Sequence, residues 1–210
     1  MVHSKGEFRK WLTSAVAPLL RDAGFNRSGM VWTRKGVEVT EIIEVLCEFP
    51  RYSNMCSFTI ELGLLHHRTS QILWGASEEK ALKAVDATVH FRIGCLISKD
   101  FLKPVDKWWS FAKQTSAEIS AEVCEVLRTD AMQTLEAHRS LEKICMLSEK
   151  MRMRLAPADQ LSLAIGYAIL GRQQESEMLF QKFIENPKSA WQKRAKDARD
   201  SLNSESIDEK

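Results

Sequence analysis

Residues 30–65 read MVWTRKGVEVTEIIEVLCEFPRYSNMCSFTIELGLL, and their alternation of apolar and polar side chains decides the fold. Apolar residues occupy alternating positions, namely Val37, Val39, Ile43, Val45, Cys47 and Phe49, followed by Cys56, Phe58, Ile60, Leu62 and Leu64. Polar residues such as Glu44, Glu48 and Thr59 fall between them. A two-residue period is typical of a strand with one buried face, and the turn-like residues 50–54 keep the phase. We therefore predict two long strands that share a buried side.

The neighbouring segments supply the other strands of the predicted sheet. Met30 to Lys35 is predicted to be a short first strand, and a tight turn at Gly36 joins it to the second. Glycine suits such a turn because it tolerates positive φ. Residues 88–94 alternate again and are predicted to be a fourth strand, with His90 and Arg92 on its polar side.

Helical periodicity dominates the two ends of the chain. Before the sheet, one helix face carries apolar residues at i, i+3, i+4 spacing: Phe8, Trp11, Leu12, Ala15, Val16, Leu19 and Leu20. A kink is expected at Pro18, a further helix start at Ser77, and helices from Thr115 onward. The predicted fold class is α+β, with a four-stranded, mainly antiparallel sheet, an N-terminal helix packed on it and a helical C-terminal half.

The last part of the chain has a repeat-like helical pattern, so we divide the sequence into three segments. The spacing of six residues resembles a single tetratricopeptide repeat: Leu163, Ala164, Tyr167, Gly171, Ser176 and Phe180. The small side chains in this pattern would let two antiparallel helices approach closely. We predict an α+β domain over residues 1–149, a helical hairpin with a capping helix over 150–203, and a disordered polar tail over 204–210.

Composition narrows the class of protein. The net charge is +2, from 30 basic and 28 acidic residues, which is too small for a broad nucleic-acid footprint. The basic clusters at residues 150–154 and 188–199 are interpreted as solvated helix faces, so nucleic acid is not the expected partner. Five cysteines without CxxC spacing indicate reduced thiols. The charged start and the absence of an apolar run of about 20 residues predict a cytoplasmic protein without a membrane span.

Several short motifs occur in a fixed order along the chain. They are GF after the first helix, FTIELGL in the third strand, then HFRIGCL and DKWW. Together, over Phe8 to Leu147, they resemble the uncharacterised bacterial family called domain of unknown function 4304. The resemblance implies a fold more than a reaction, because the family has no established enzymatic activity. Some relatives are encoded near bacterial conflict systems, so the resemblance also implies an immunity or partner-neutralising role.

Metal binding is not expected. His66, His67, His90 and Cys95 are suitable zinc donors by chemistry. Adjacent residues on a strand point to opposite faces, however, so His66 and His67 could not both be ligands without a turn. We expect neither a metal nor another cofactor.

Six residues are candidates for binding a partner or ligand: Arg34, His90, Arg92, Trp108, Trp109 and Tyr167. The arginines and His90 could hold an anion on one sheet face, or could form cross-strand pairs with glutamates such as Glu61. The tryptophan pair could anchor a partner protein or stack on bases, or one indole could cover the sheet while the other lies on its rim. Tyr167 would lie on the concave side of the repeat-like hairpin.

No catalytic signature occurs in the sequence. It contains no GxSxG, HExxH or glycine-rich phosphate loop. We therefore favour a non-enzymatic module that binds another protein through an exposed sheet face, the tryptophan pair and the C-terminal hairpin. The alternative is an enzyme or binder for a small phosphorylated or carboxylated ligand, with His90 and Arg92 in a cleft beside Glu61. Nucleic-acid binding is a third hypothesis.

Overall fold

The structure is a computed structural model that describes residues 4–49, 56–75, 82–151 and 155–208, with side chains in the last helix described as far as Ser204. The predicted turn at residues 50–54, the predicted helix start at Ser77 and the basic positions 152 and 154 lie outside these ranges.

The predicted α+β class is confirmed, and the described strands number six rather than four. They are β1 (Asn26–Ser28), β2 (Val31–Lys35), β3 (Val39–Glu48), β4 (Ser57–His66), β5 (Val89–Arg92) and β6 (Trp109–Ser110). The sheet order is β1-β2-β3-β4-β5, β6 also pairs with β4, and all these pairings are antiparallel. The sequence analysis missed β1 and β6, because segments of three and two residues are too short to show a period.

The central hairpin has the shared buried side that was predicted. Val45 lies opposite Ile60 and Cys47 opposite Phe58, so the apolar residues of both strands share one face. That face forms the main core with the N-terminal helices and with apolar residues as far along the chain as Tyr167.

The N-terminal helix runs in three parts: α1 (Lys5–Trp11), a π-helical turn (Leu12–Val16) and α2 (Ala17–Asp22). Pro18 cannot donate a backbone hydrogen bond, and its ring would clash with the carbonyl one turn earlier. The wider turn just before it, closed by the Ala17 amide on the Leu12 carbonyl, avoids that clash. The irregularity expected at Pro18 therefore takes the form of a π turn.

The second face of the sheet, predicted to be exposed, is largely covered. Thr40, Ile42, Glu44 and Thr59 are all buried on it. A short 3-10 helix (Ala84–Asp86) packs there, and its first amide donates to Glu44 Oε2 at 2.8 Å. The buried Glu44 therefore belongs to an interior layer, whereas Arg92 on the same face remains exposed.

Two glycines shape the hairpin turns for different reasons. Gly29, with φ of +65°, opens the two-residue turn between β1 and β2. Gly36 was expected to need positive φ, but it is not among the positive-φ residues of the structure. A Cβ there would lie 2.9 Å from the Val39 carbonyl oxygen, so close backbone approach requires this glycine.

Further helices lie between β4 and β6 and, as predicted, make up the C-terminal half after β6. They are α3 (His67–Trp74), α4 (Gly94–Ile97), α5 (Ser116–Val126), α6 (Met132–Ala137), α7 (Leu141–Lys150), α8 (Pro157–Ile169), α9 (Gln173–Ile184) and α10 (Gln192–Asp208). A second apolar cluster joins α3 to the last three helices through Leu73, Ile165 and Phe180. Within it, the buried Ser176 hydroxyl donates to the Ala164 carbonyl at 2.8 Å. α10 extends into the stretch that was predicted to be disordered.

Candidate functional site

Strands β5 and β6 lie end to end along the same side of β4. Arg92 pairs with Glu61, and farther along β4 Trp109 pairs with Phe58. The two segments therefore act as one edge strand that is interrupted by residues 93–108. We call this excursion the edge loop; it contains α4 and otherwise has no regular secondary structure.

The backbone of the edge loop is fixed at several points. Phe101 packs edge-on against Phe91 of β5, with ring centroids 5.6 Å apart. Asp100 Oδ1 accepts hydrogen bonds from the Leu102 and Lys103 amides at 2.8 and 3.0 Å. Thr59 of β4 donates from its hydroxyl to the Lys107 carbonyl at 2.8 Å. These contacts give the loop one defined conformation.

Close backbone approach also fixes the loop. Gly94 lies directly against Val105, and a Cβ at Gly94 would overlap the Val105 carbonyl oxygen. Only glycine permits this contact, so the first turn of α4 and the far part of the loop are held together.

Three large apolar side chains of the edge loop face solvent. Ile97, Leu102 and Val105 are 37%, 54% and 47% exposed, respectively. Isolated exposed apolar residues are normal on protein surfaces. Three of them on one fixed loop are less usual and mark a candidate recognition surface.

Arg92 and Trp108 form a polar cluster beside the loop. The Arg92 guanidinium contacts Glu61 at 3.4 Å and Asp106 at 3.0 Å, and lies 5.8 Å from the centre of the Trp108 ring. The Trp108 indole donates to the same Asp106 carboxylate at 3.1 Å. Arg92 is thus engaged by two carboxylates, and Trp108 is half-buried.

Trp109 belongs to the core. It is fully buried and stacks on Phe58 with ring centroids 5.4 Å apart. Its Nε1 has no hydrogen-bond partner in the described structure, and the Lys107 ammonium lies 5.1 Å from its ring centre. Of the tryptophan pair, only Trp108 is positioned to meet a partner.

His90 connects the sheet to the C-terminal helices. Its Nδ1 lies 3.2 Å from Oδ1 of Asp159, a buried residue in the first turn of α8. The other carboxylate oxygen of Asp159 accepts from the Ala156 amide, so this side chain also caps its own helix. The hydrogen bond to Asp159 raises the pKa of His90 against the opposing effect of burial, and Glu61 and Glu44 add to the rise.

Arg34 lies on the opposite face of the sheet from His90 and Arg92, so the predicted grouping of these residues was wrong. Arg34 pairs across the strands with Glu41, which belongs to the apolar face of β3. A cavity of about 190 Å³ lies nearby, lined by residues 36–39 and Arg139. The Arg139 guanidinium is already bound to Glu41 and Glu136, and the other charged residue of the lining is the exposed Glu38.

Tyr167 is a buried structural residue. Its hydroxyl donates to Glu149 Oε1 at 2.8 Å, and the Arg172 guanidinium lies over its ring at 4.1 Å. Burial and the bond to Glu149 raise the pKa of this phenol well above its usual range. The arrangement joins α7, α8 and the start of α9, and leaves Tyr167 little surface for a partner.

The sequence profile of one family, described as domain of unknown function (DUF4304), matches residues 16–137, more than half of the chain. The chain belongs to the DUF4304 family. The match includes the whole sheet and the edge loop, whereas Asp159 and Tyr167 lie beyond the DUF4304 region. No curated protein and no solved structure matches the chain significantly.

Other classes of site find no support in the described part of this DUF4304 chain. Its histidines, cysteines and carboxylates form no group of three that could hold a metal ion within those residues. The helices that the structure describes include none with the length and apolar character of a membrane span. The sequence analysis missed Ile97, Leu102 and Val105 of the edge loop, and it also missed Asp159 and Arg139. For Leu102 and Val105, the neighbouring Pro104 was the available signal.

Proposed function

We propose that this DUF4304 protein is a non-enzymatic module that binds another protein through its edge loop. One observation carries the proposal: the loop that contains Trp108 has its backbone fixed by several contacts and exposes Ile97, Leu102 and Val105. Binding surfaces are often loops held by a rigid scaffold, and aromatic or apolar anchors dominate their energetics. Because the loop is already ordered, little conformational entropy is lost when a partner docks.

The other surfaces considered from the sequence give weaker support. The second sheet face is mostly buried, and Tyr167 is enclosed by Glu149 and Arg172. For a small anionic ligand, His90 and Arg92 would have to release Asp159, Glu61 and Asp106. An immunity-type role, implied by the family resemblance, would be one form of the proposed binding.

The test is an affinity enrichment from host lysate with matched variants, quantified by mass spectrometry. The loop variant carries Leu102→Ser and Val105→Ser, and the control carries Met146→Ser and Met178→Ser, which are exposed on α7 and α9. We expect a protein that is enriched by the native chain and the control but at least about tenfold less by the loop variant, as for loss of apolar anchors. Equal enrichment by both variants, or no enriched protein, would overturn the proposal.

A further inference from the structure

The charges of the edge loop are not balanced. It carries three lysines and two aspartates. Lys107 is paired with Glu122, Asp106 is paired with Arg92, and Asp100 accepts backbone amides of the loop. Within the described ranges, Lys99 and Lys103 make no ion pair, although both are exposed. The exposed apolar side chains therefore lie in a loop that presents surplus positive charge.

The backbone at Lys99 provides a second, independent observation. Lys99 has φ of +54° and is the sole non-glycine residue with positive φ among the residues that the structure describes. It follows α4 by two positions, where left-handed conformation is common and glycine is preferred. At the equivalent positions after α2 and α8, the chain has Gly24 and Gly171. A lysine thus occupies a position where glycine would be less strained, and such a backbone outlier motivates a hypothesis that its side chain has a function.

We infer that the partner of the edge loop is an acidic peptide segment with an apolar anchor. This inference rests on the proposed function. Acidic side chains of the segment would pair with Lys99 and Lys103, while its aliphatic or aromatic residue packs on Leu102 and Val105. A second copy of this chain is the other occupant to test, because Val37 at the tip of the β2–β3 turn is also exposed and stands beside Glu38.

The first experiment selects random peptides displayed on phage against the full native chain. Clones that also bind the Leu102→Ser, Val105→Ser variant are removed. We expect the remaining peptides to combine several Asp or Glu residues with Leu, Ile, Phe or Trp. A pool without net negative charge, or failure to select any peptide, would overturn the inference.

The second experiment measures the affinity of a selected peptide for charge variants. Lys99→Glu with Lys103→Glu should weaken binding at least about tenfold, whereas Lys193→Glu with Lys196→Glu on exposed α10 should leave it within about twofold. Raising the salt from about 50 to about 300 mM should weaken binding of the native chain severalfold. Equal affinity for both variants would overturn the inference.

Lys99→Gly separates the function of the side chain from its structural cost. This change should raise the unfolding temperature, by about 2 °C, because it removes the left-handed strain. It should also weaken peptide binding severalfold. A variant that is less stable, or that binds as well as the native chain, would contradict the role given to Lys99.

These results distinguish the inference from the function on which it rests. If the apolar loop variant loses its protein partner but no acidic peptide is selected, the acidic segment is wrong and the binding function stands. If sedimentation shows self-association that Leu102→Ser with Val105→Ser abolishes, a second copy is the occupant and the inference is overturned. If capture of the partner protein does not depend on the loop, both the proposed function and the inference are wrong.

Discussion

Arg139, in the connection between α6 and α7, donates from Nε to the carboxylate of Glu41 on β3 at 2.9 Å. The Glu41 side chain is only 2% exposed, and Arg34 of the neighbouring strand binds the same carboxylate from the other side. Arg34 also donates to the Ala23 carbonyl at 2.9 Å, just after α2. One buried carboxylate therefore connects the sheet with both its N-terminal and its C-terminal helices.

Glu41→Gln should strongly destabilise the protein. The change leaves Arg34 without its counter-charge and Arg139 with only Glu136, and breaking a buried ion pair costs about 3–5 kcal/mol. Arg139→Met should cost under about 1 kcal/mol, because this side chain is 42% exposed and Arg34 remains in place. Urea unfolding of both variants measures the two losses in unfolding free energy, and Glu41→Gln should lose more. The exposed Arg128→Met is a control that is expected to have little effect. Equal losses for Glu41→Gln and Arg139→Met would show that Glu41 is not the centre of the cluster.

His90 should make stability depend on pH. The bond to Asp159 raises the pKa of His90 in the folded protein above its unfolded value of about 6.5. Its stabilising contribution is therefore complete below that unfolded value and is lost as the pH rises through the folded pKa. Relative to the native chain, His90→Gln should lose more unfolding free energy at about pH 5.5 than at about pH 8.5.

Nuclear magnetic resonance can test the cause of this dependence. The titration midpoint of the His90 ring should fall in an Asp159→Asn variant, because the charged hydrogen-bond partner is removed. An unchanged midpoint would mean that Asp159 does not set the protonation of His90.

Gly94→Ala should distort the edge loop and destabilise the fold. The added methyl would overlap the Val105 carbonyl, which is backbone and cannot rotate away. A loss of about 1–3 kcal/mol is typical of such overpacking. Gly6→Ala is the control: the Cβ there would meet only the Ser4 hydroxyl at 3.8 Å, so this exposed helix position should be stabilised. Thermal unfolding of the two variants should shift in opposite directions, and a shift in the same direction would contradict the close approach.

The thiols should react slowly in the folded protein. Burial raises the pKa of Cys56 and of Cys145 to about 12, so little thiolate forms at about pH 8. Cys47 and Cys124 are half-buried and should react first with Ellman's reagent, although burial raises the pKa of both. After denaturation all five cysteines should react rapidly. Fast modification of native Cys56 or Cys145 would contradict their placement in the core.

The central hairpin could be predicted because its residues follow one strong rule. Val45 and Phe58 occupy alternating apolar positions, and a slip of one residue between two such strands would turn one apolar face towards solvent. The shared buried face was therefore predictable, although the residue-by-residue pairing was not. The same rule could not predict the burial of Glu41, a charged residue at a position where the pattern requires an apolar one. Its partners are Arg34 and Arg139. No local sequence pattern indicates that Arg139, 98 positions away, pairs with Glu41.

Other features escaped prediction because local sequence gives weak signals for them. α3 begins directly after β4, and its cap is His66, whose ring accepts from the Thr69 amide, rather than a usual Ser or Asp. The burial of Glu44 depends on Ala84, which folds back over the sheet. In the candidate site, the DKWW motif was enough to single out Trp108. The exposure of Leu102 and Val105 could not be predicted, because it depends on the contacts that fix the whole edge loop.

One edge strand is divided into β5 and β6, so residues that must pair with β4 are separated from exposed residues that need not. Pairing with β4 fixes the two short segments, and Gly94 and the Lys107 carbonyl fix the two ends of the chain between them. The exposed residues between these points, such as Leu102 and Lys103, can be exchanged without changing the hydrogen-bond ladder. Homologues could diversify their specificity at these exposed positions, much as antibodies vary loops on a constant framework. Sequence variability confined to them would be the record of such divergence.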